Sequence, residues 1–400
     1  MLATFCLLVV ATNVIPLALI DKNLNSSLRV IAEEGEKPAH HTRLFTQDNV
    51  TDCIMLNIAA GVDSNHPLQS AMTNRFHFNE GESLIDATRA LLDGKDVDTL
   101  DYARYWHGYQ ALLRPLLCAT DYHGIRVINH LLLFALALLC IVMAYLKVSR
   151  GFSAGLAMGL IMVGFNYVPL NMQYSSCFYV MLLAMVTIMS FSGIASNDRA
   201  CLFFFVIGGV TSFLDLLTTP LITVGVPVTL WCLVHKPKHA VRMVAALSLM
   251  WILGYGLIWA SKWLLATAVT GTDIIGDAIN NAHIRTVGGE QGEEGATSLS
   301  IIQSVWHTLI ALRPWIYICA ILGVAALAVA YRRWGRPARV IHDNLWLVLV
   351  AAMPLVWSLV LMQHTYIHWY FTWRMWLVTI VAVVLFMSRT INPPSILKKS

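Results

Sequence analysis

Three polar side chains interrupt an apolar part of the sequence, in the stretch QHTYIHWYFTWR at positions 363–374. Arg374 carries a planar guanidinium, which stays charged and can donate two hydrogen bonds to one phosphate. His364 and His368 are four residues apart, a spacing that places two imidazoles on one face of a helix and is also used for zinc. The stretch is therefore a candidate site for an anion or for a metal ion.

Each of these side chains also has an interpretation without a ligand. Arg374 can anchor a helix by extending its charge toward lipid headgroups. The Trp- and Tyr-rich surroundings of His364 and His368 are typical of packing at a membrane interface. The sequence shows no third metal ligand nearby, so we predict no metal site and favour hydrogen bonds to a substrate headgroup over metal binding.

Acidic candidates lie in two other places. The stretch DNVTDCIMLNIAAG, 48–61, contains Asp48 and Asp52 at the start of an apolar helical pattern. A carboxylate at a helix start is stabilised by the helix dipole, but it can equally serve as a general base if it faces a cavity. Asp215, in SFLDLLTTP, either caps the following helix or contacts a substrate.

The composition determines which elements can position these residues. Of the 400 residues 57% are hydrophobic and 12% are charged, about half the charged share of a soluble domain. Several apolar runs approach the roughly 20 residues that cross a bilayer. The sequence therefore predicts one all-α polytopic membrane domain over 1–400, with about ten transmembrane helices. The predicted spans are 2–20, 126–146, 152–169, 175–194, 200–213, 216–234, 241–268, 315–331, 345–362 and 370–388.

The charge distribution predicts the orientation. Five loop segments, 147–151, 195–199, 235–242, 332–344 and 389–400, carry 13 Lys and Arg residues and two acids. The short loops on the opposite side carry no Lys or Arg. By the positive-inside rule, the basic segments and both termini are cytoplasmic. We expect an integral protein of a bacterial plasma membrane, with membrane lipids around it and no nucleic acid as partner.

Two long segments are then predicted to face outward. Residues 21–125 and 269–314 together hold 20 of the 23 acids. Apolar residues recur at helical spacing in 52–60, 84–92 and 102–117, which predicts amphipathic helices on the membrane surface. The second loop contains GGEQGEEG, 288–295, a composition typical of a flexible segment.

The stretch 363–374 must be a turn at the outer face. A single helix over 345–388 would be roughly 65 Å long, about twice the hydrocarbon thickness. Polar residues of the spans gather at the same face, and a charge within a span requires a partner. They are Asn166, Asn171, Gln173, Asp215, Thr218, His364, His368 and Arg374.

The order of four motifs resembles the GT-C superfamily of integral membrane glycosyltransferases, which use polyprenyl-phosphate-linked sugars at the outer membrane face. The motifs are Asp52-Cys-Ile-Met-Leu-Asn-Ile-Ala59, Tyr105-Trp-His-Gly-Tyr-Gln-Ala-Leu-Leu-Arg-Pro-Leu-Leu117, Arg126-Val-Ile-Asn129 and Gly208-Gly-Val-Thr-Ser-Phe-Leu-Asp-Leu-Leu-Thr-Thr-Pro-Leu221. The resemblance implies a GT-C-like helical fold with a large outward first loop. It implies transfer of a sugar from a lipid-linked donor to an acceptor.

The resemblance also implies roles for individual residues. Asp52 matches the acid that acts as the acceptor's base, with Asp48 as the backup. Arg374, His364 and His368 are expected at the lipid-linked phosphate. The remaining residues expected to contact substrate are Asp215, Arg114 and His107. No cofactor is expected, since the donor is itself the activated substrate.

Two other functions remain open from the sequence. A transporter or flippase for a lipid or small anion would use Asp215 and Arg374 as contacts within the membrane. A non-catalytic relative would bind polyprenyl lipids without transferring a sugar.

Overall fold

A computed structural model describes residues 1–35, 47–287, 331 and 342–391. Within these ranges the chain is almost entirely helical, as predicted. The helices up to the first long span are α1 (Leu2–Asn13), α2 (Leu17–Glu34), α3 (Asn49–Ala60), α4 (Pro67–Thr73), α5 (Leu84–Leu92), α6 (Gln110–Ala119) and α7 (Tyr122–Lys147). Those that follow are α8 (Arg150–Met162), α9 (Met172–Ser190), α10 (Asn197–Leu214), α11 (Ile222–His235), α12 (Ala240–Thr270), α13 (Ile274–Val287), α14 (Leu345–Val360), α15 (Met362–Ile367), α16 (Trp369–Thr372) and α17 (Leu377–Ile391).

Five of the described helices are long and apolar enough to cross a membrane, consistent with an integral membrane protein. They are α7, α9, α10, α12 and the continuous stretch Trp369–Ile391, which contains α16 and α17. The bent pair α1 and α2 would make a sixth, and α8, α11 and α14 are shorter apolar helices. The predicted span 315–331 lies almost wholly outside the described residues.

The predicted first span, 2–20, is not one straight helix. Helix α1 has 12 residues, about 18 Å, and it meets α2 at an angle of 83°. Pro16 explains the break, because proline lacks the N–H that would continue the ladder and disfavours a helical residue before it. The break leaves backbone carbonyls without their usual helical donors.

Arg114 supplies donors at this break. Its Nε donates to the carbonyl of Thr12 at 3.3 Å, and Nη2 donates to the carbonyl of Ile15. Its Nη1 donates to the carbonyl of Ala59, in the last turn of α3. The side chain is fully buried, so one guanidinium joins α1, the break after it, α3 and α6. This arrangement gives Arg114 a structural role, whereas the sequence suggested substrate binding.

Replacement of Arg114 is therefore expected to destabilise the fold. Arg114→Leu leaves three buried carbonyls without these donors, which should lower the free energy of unfolding by about 3 kcal/mol or more. Thermal unfolding of purified protein in detergent measures the change. Arg29→Leu, at an exposed position on α2, is the matched control and should have little effect. A melting curve for Arg114→Leu that matches the wild type would contradict the structural role.

The first loop forms a packed layer, with the predicted helices at 52–60 and 84–92 present as α3 and α5. The third, predicted over 102–117, begins only at Gln110. Its first residues are not helical because His107 has a left-handed φ of 51° and the Gly108 N–H donates to the carbonyl of Phe213. Two short strands, Phe76–Phe78 and Asp98–Leu100, pair in antiparallel register.

The chain reverses between α14 and α17, which pack against each other. The stretch 363–374 forms this reversal as α15, α16 and the start of a short 3₁₀ turn, Trp373–Trp376. The inner face of α17 also packs on α8 and α11. These contacts bring Arg374 to the first turn of α9.

Candidate active site

Asp48 and Asp52 both lie at the N-terminal end of α3. Asp48 is the N-cap residue, and its carboxylate accepts hydrogen bonds from the Thr51 N–H at 3.1 Å and the Thr51 hydroxyl at 2.8 Å. Asp52 lies in the first turn. Both side chains are buried, with exposed fractions of 5% and 1%. The helix dipole of α3 stabilises both carboxylates.

These carboxylates meet the N-terminus of a second helix, α9. Asn171 donates to Asp52 Oδ2 at 2.5 Å, and the Met172 N–H donates to Asp52 Oδ1 at 3.3 Å. Gln173 donates to Asp48 Oδ2, and the Asp48 N–H donates to Asn171 Oδ1 at 3.3 Å. Two helix N-termini therefore face each other with two acids between them. This favours negative charge at the junction.

The motif Arg126-x-x-Asn129 holds the turn before α9. Arg126 Nε donates to the carbonyl of Leu170 at 2.8 Å, and Asn129 donates to the carbonyl of Pro169 at 3.0 Å. Because these residues are three apart on α7, they lie on one face. They fix the turn that presents Asn171 to the acids.

The charge of Arg126 acts on Asp52, but its guanidinium is bonded to other groups. Its Nη1 donates to Glu34 Oε1 at 2.6 Å and its Nη2 donates to Asn49 Oδ1 at 3.1 Å. The charge of Arg126 therefore lowers the pKa of Asp52, although the two side chains form no direct ion pair. The guanidinium lowers the free energy required to ionise a carboxylate in this buried place. It does not, however, form an ion pair with Asp52.

Burial raises the pKa of Asp52 to about 7, against the opposing effects of Arg126 and Asn171. The nearby charge of Asp48 raises it further. A carboxylate with a pKa near 7 is suited to accept a proton at neutral pH, because both of its protonation states are populated. Asp52 also caps α9, so it combines a structural contact with a pKa appropriate for a base.

Arg374 lies beside this junction. Its guanidinium carbon lies 4.2 Å from the ring centroid of Tyr174, the residue after Gln173. The side chain is fully buried, and the charge of Asp48 acts on it. Nη1 makes a long 3.5 Å contact with the carbonyl of Tyr370, and the Tyr174 hydroxyl interacts with the guanidinium, but Nε and Nη2 make no well-formed hydrogen bond among the described residues. Nor does Tyr174 Oη make a well-formed hydrogen bond there.

The structure thus brings Asp48, Asp52 and Arg374 to one end of α9. Comparison of the chain with family models, curated proteins and solved structures finds no match. A function is therefore inferred from the side chains at this junction. Its polar groups are a carboxylate with a pKa near neutrality and a buried guanidinium whose donors are only partly used.

The two histidines of 363–374 are not arranged as metal ligands. His364 Nε2 lies 2.8 Å from the carbonyl of Leu217, so Nε2 carries the proton. Its Nδ1 therefore accepts from Arg285, at 2.6 Å. Burial, together with the charges of His368 and Arg285, lowers the pKa of His364 well below its usual value. No group of three or more potential metal-ligating residues occurs in the described parts of the chain.

His368 is stacked on Phe371, with ring centroids 5.0 Å apart. Burial lowers its pKa to about 3, so it is neutral. Its Nδ1 has no hydrogen-bond partner within the described ranges. Of the two histidines, His368 is the one that retains a ring nitrogen for a ligand.

Asp215 and His107 are held by protein partners. Asp215 accepts from the Thr218 N–H at 2.9 Å and from its hydroxyl at 2.5 Å, so it caps the turn before α11. His107 Nε2 donates to the carbonyl of Tyr102 at 3.0 Å and Nδ1 accepts from the Tyr109 hydroxyl at 2.9 Å. Both are buried, and their contacts indicate structural roles.

Several residues of the junction were not predicted from the sequence. Asn171 and Gln173 were noted as polar residues near the outer face, but no role was assigned to them. Tyr174 and Arg285 gave no signal, since an aromatic residue and a loop arginine are common in any membrane protein. Two polar residues, Asn171 and Gln173, come just before an apolar helix. This was the sequence feature that could have indicated that α9 begins at a polar site.

Proposed function

We propose that the chain is a membrane glycosyltransferase that transfers a sugar from a polyprenyl-phosphate-linked donor to an acceptor hydroxyl. The observation that carries the proposal is the position of Arg374. A buried guanidinium with unused donors packs on the ring of Tyr174, two residues after the Met172 N–H that donates to Asp52, and burial raises the pKa of Asp52 to about 7. A phosphate would accept the hydrogen bonds that Nε and Nη2 of Arg374 can donate. The carboxylate of Asp52 would serve as the base that takes the proton of the acceptor hydroxyl.

Each group has a defined task in this reaction. Asp52 accepts the proton of the acceptor hydroxyl as the hydroxyl oxygen bonds to the anomeric carbon of the sugar. The bond from that carbon to the phosphate oxygen breaks, and polyprenyl phosphate leaves. Arg374 stabilises the charge that develops on the leaving phosphate, with Asp48 and Tyr174 beside it. Because Arg374 is fully buried, a lipid phosphate enters only when the side chains around it move apart.

The orientation is part of the proposal. About ten helices cross a bacterial plasma membrane with both termini in the cytoplasm, which places the first loop and the site at the outer face. The basic loops support this orientation. The donor's lipid tail lies in the membrane, and the sequence has no Gly-rich phosphate-cradling motif for a nucleotide. The reaction needs no cofactor.

Reconstituted protein tests the proposal directly. Purified chain in liposomes is supplied with a panel of polyprenyl-phosphate monosaccharides carrying a radiolabelled sugar, and release of the label from the lipid is measured. We expect time-dependent release for one sugar. An Asp48→Asn, Asp52→Asn double variant should show none.

Three other results, each without release of the sugar, would count against transfer. Binding of the lipid without release of the sugar would indicate a non-catalytic lipid-binding protein. Movement of intact lipid between leaflets would indicate a flippase. Neither binding nor release for any donor would leave the proposal without support.

A further inference from the structure

A hydrogen-bonded network joins the C-terminal end of α2 to the candidate active site. Glu34, the last residue of α2, accepts from Arg126 Nη1 at 2.6 Å and from Asn49 Nδ2 at 3.0 Å. Asn49 is fully buried, and its Oδ1 accepts from Arg126 Nη2 at 3.1 Å. The three side chains form a closed ring of hydrogen bonds. Because Asn49 begins α3, this ring lies at the helical turn that contains Asp52.

The position of Glu34 is not explained by α2 itself. The C-terminal end of a helix carries a partial negative charge, so a carboxylate in the last turn is locally unfavourable. The last turn of α2, Ile31-Ala-Glu-Glu34, contains no basic residue. The charge of Glu34 is instead matched by Arg126, a residue of α7 that lies 92 positions later. Glu34 is therefore placed for its contact with Arg126.

Each nitrogen of the Arg126 guanidinium donates to a group other than Asp52. Nη1 donates to Glu34, Nη2 to Asn49 and Nε to the carbonyl of Leu170. The side chain is 7% exposed, so these contacts hold the charge in a largely dehydrated position. If Glu34 were neutral, the guanidinium would act on Asp52 with its full charge, or would turn and pair with it.

Among the described residues, two charges act on Asp52. The charge of Arg126 lowers the pKa of Asp52, and the charge of Asp48 raises it. The acid and the base of α5, Asp86 and Arg89, pair with each other at an exposed position. The other titratable groups that interact with Asp52 are tyrosines, which are uncharged at neutral pH. They are Tyr122 on α7, Tyr109 before α6 and Tyr174 on α9.

We propose that Glu34 is a positioning residue, which pairs with Arg126 and thereby keeps that charge from acting fully on Asp52. The role of Asp52 as the base rests on the proposed function. A direct ion pair with Arg126 would hold Asp52 ionised well below neutral pH and make it a weaker base. With Glu34 in place, the charge beside Asp52 is already matched, and Asp52 can still accept a proton near pH 7.

The test is the titration of the Asp52 carboxyl in the full chain, which does not depend on sugar transfer. Protein with ¹³C-labelled aspartate carboxyls is titrated in detergent and followed by infrared spectroscopy, and Asp52→Asn identifies the band of protonated Asp52. Glu34→Gln removes the charge and keeps the shape of the side chain. We expect it to lower the midpoint of Asp52 by about half a pH unit or more, because Arg126 is then unmatched.

Two further variants make the test specific. Arg126→Met should move the midpoint of Asp52 in the opposite direction, to a higher pH, because it removes the cation. Glu33→Gln is the matched control, since it removes the same charge from the adjacent exposed residue of α2 and should leave the midpoint unchanged. The Glu34 side chain is 32% exposed, so Glu34→Gln is expected to fold even if Arg126→Met does not.

The proposal is overturned if Asp52 in Glu34→Gln titrates at the wild-type pH or at a higher pH. Melting curves are recorded on the same preparations. A lower melting temperature with an unchanged midpoint would show that the ion pair only joins α2 to α7, which also overturns the proposal.

Transfer rates separate this result from failure of the proposed function. In Glu34→Gln the rise of the rate with pH should begin at lower pH, and the plateau rate should be several-fold lower because the base is weaker. A shifted titration in a protein that never releases sugar from a lipid-linked donor would keep the role of Glu34 and remove the transferase. Active protein in which Glu34→Gln changes neither the titration nor the rate profile would do the reverse.

Discussion

Arg374→Met is expected to abolish sugar transfer and yet leave the protein at least as stable as the wild type. A buried guanidinium without a carboxylate partner is costly to desolvate, and the rings of Tyr174 and Trp373 recover part of that cost. Methionine removes the charge and keeps an unbranched side chain of similar length. The loss of transfer should be on the order of 10³-fold or more, as for other arginines that stabilise a developing phosphate charge.

Arg374→Lys is expected to have an intermediate effect on transfer. Lysine keeps the positive charge but has no planar fork, so it should recover only part of the lost rate. Initial rates in liposomes and melting curves in detergent measure the two properties on the same preparations. Arg242→Ala, an exposed arginine at the start of α12, is the control and should leave both unchanged. If Arg374→Met transfers sugar at the wild-type rate, Arg374 is an interfacial anchor.

Asp52→Asn is expected to reduce transfer by about 10²–10⁴-fold, the usual contribution of a general base. Asparagine has nearly the same shape and can still accept from the Met172 N–H. It has no carboxylate to take a proton. Asp48→Asn should have a smaller effect, because Asp48 is engaged with Thr51 and Gln173.

The pH dependence distinguishes a base from a helix cap. The pKa of Asp52 is about 7 in the folded protein and 3.8 is its ordinary value. In the proposed reaction ionised Asp52 is the active form, so the wild-type rate should rise as the pH passes through about 7. The raised pKa makes its contribution to stability greatest below about pH 4, and stability is lost as the pH rises through about 7. Rate and stability should thus change in opposite directions between pH 5 and 8.

In Asp52→Asn both of these dependences should disappear. Rates and melting temperatures measured in matched buffers across that range provide the comparison, with Asp96→Asn as the exposed control. A wild-type rate that does not change from pH 5 to 8 would be inconsistent with Asp52 as the base.

The long apolar helices were predictable from the sequence because their signal is local. The spans 126–146 and 241–268 correspond to α7 and α12 within a few residues. The first span was predicted as continuous because its composition is apolar throughout, although Pro16 was visible. In a membrane helix proline is tolerated where neighbours satisfy the freed carbonyls, and Arg114 is nearly 100 residues away.

The candidate site was predictable in part for the same reason. Asp48 and Asp52 were singled out by their place at a helix start, and Arg374 by its isolation among apolar residues. The role of Asp52 as a base came from the family resemblance. Asp52 and Arg374 contact groups that are supplied by residues far away in the sequence. Asn171 lies 119 residues after Asp52, and only the packing of α3 on α9 brings the two together. No local spacing encodes such a pairing. Arg114 likewise contacts Thr12, Ile15 and Ala59, which are 102, 99 and 55 residues away.

The break between α1 and α2 has a consequence for biosynthesis. The carbonyls of Thr12 and Ile15 receive donors from Arg114, which the ribosome adds about 100 residues later. Until α6 is made, the carbonyl of Ile15 lacks this donor. We therefore expect the N-terminal helix pair to complete its insertion in the bilayer only after Arg114 has been translated, so that its insertion and the folding of α6 are coupled.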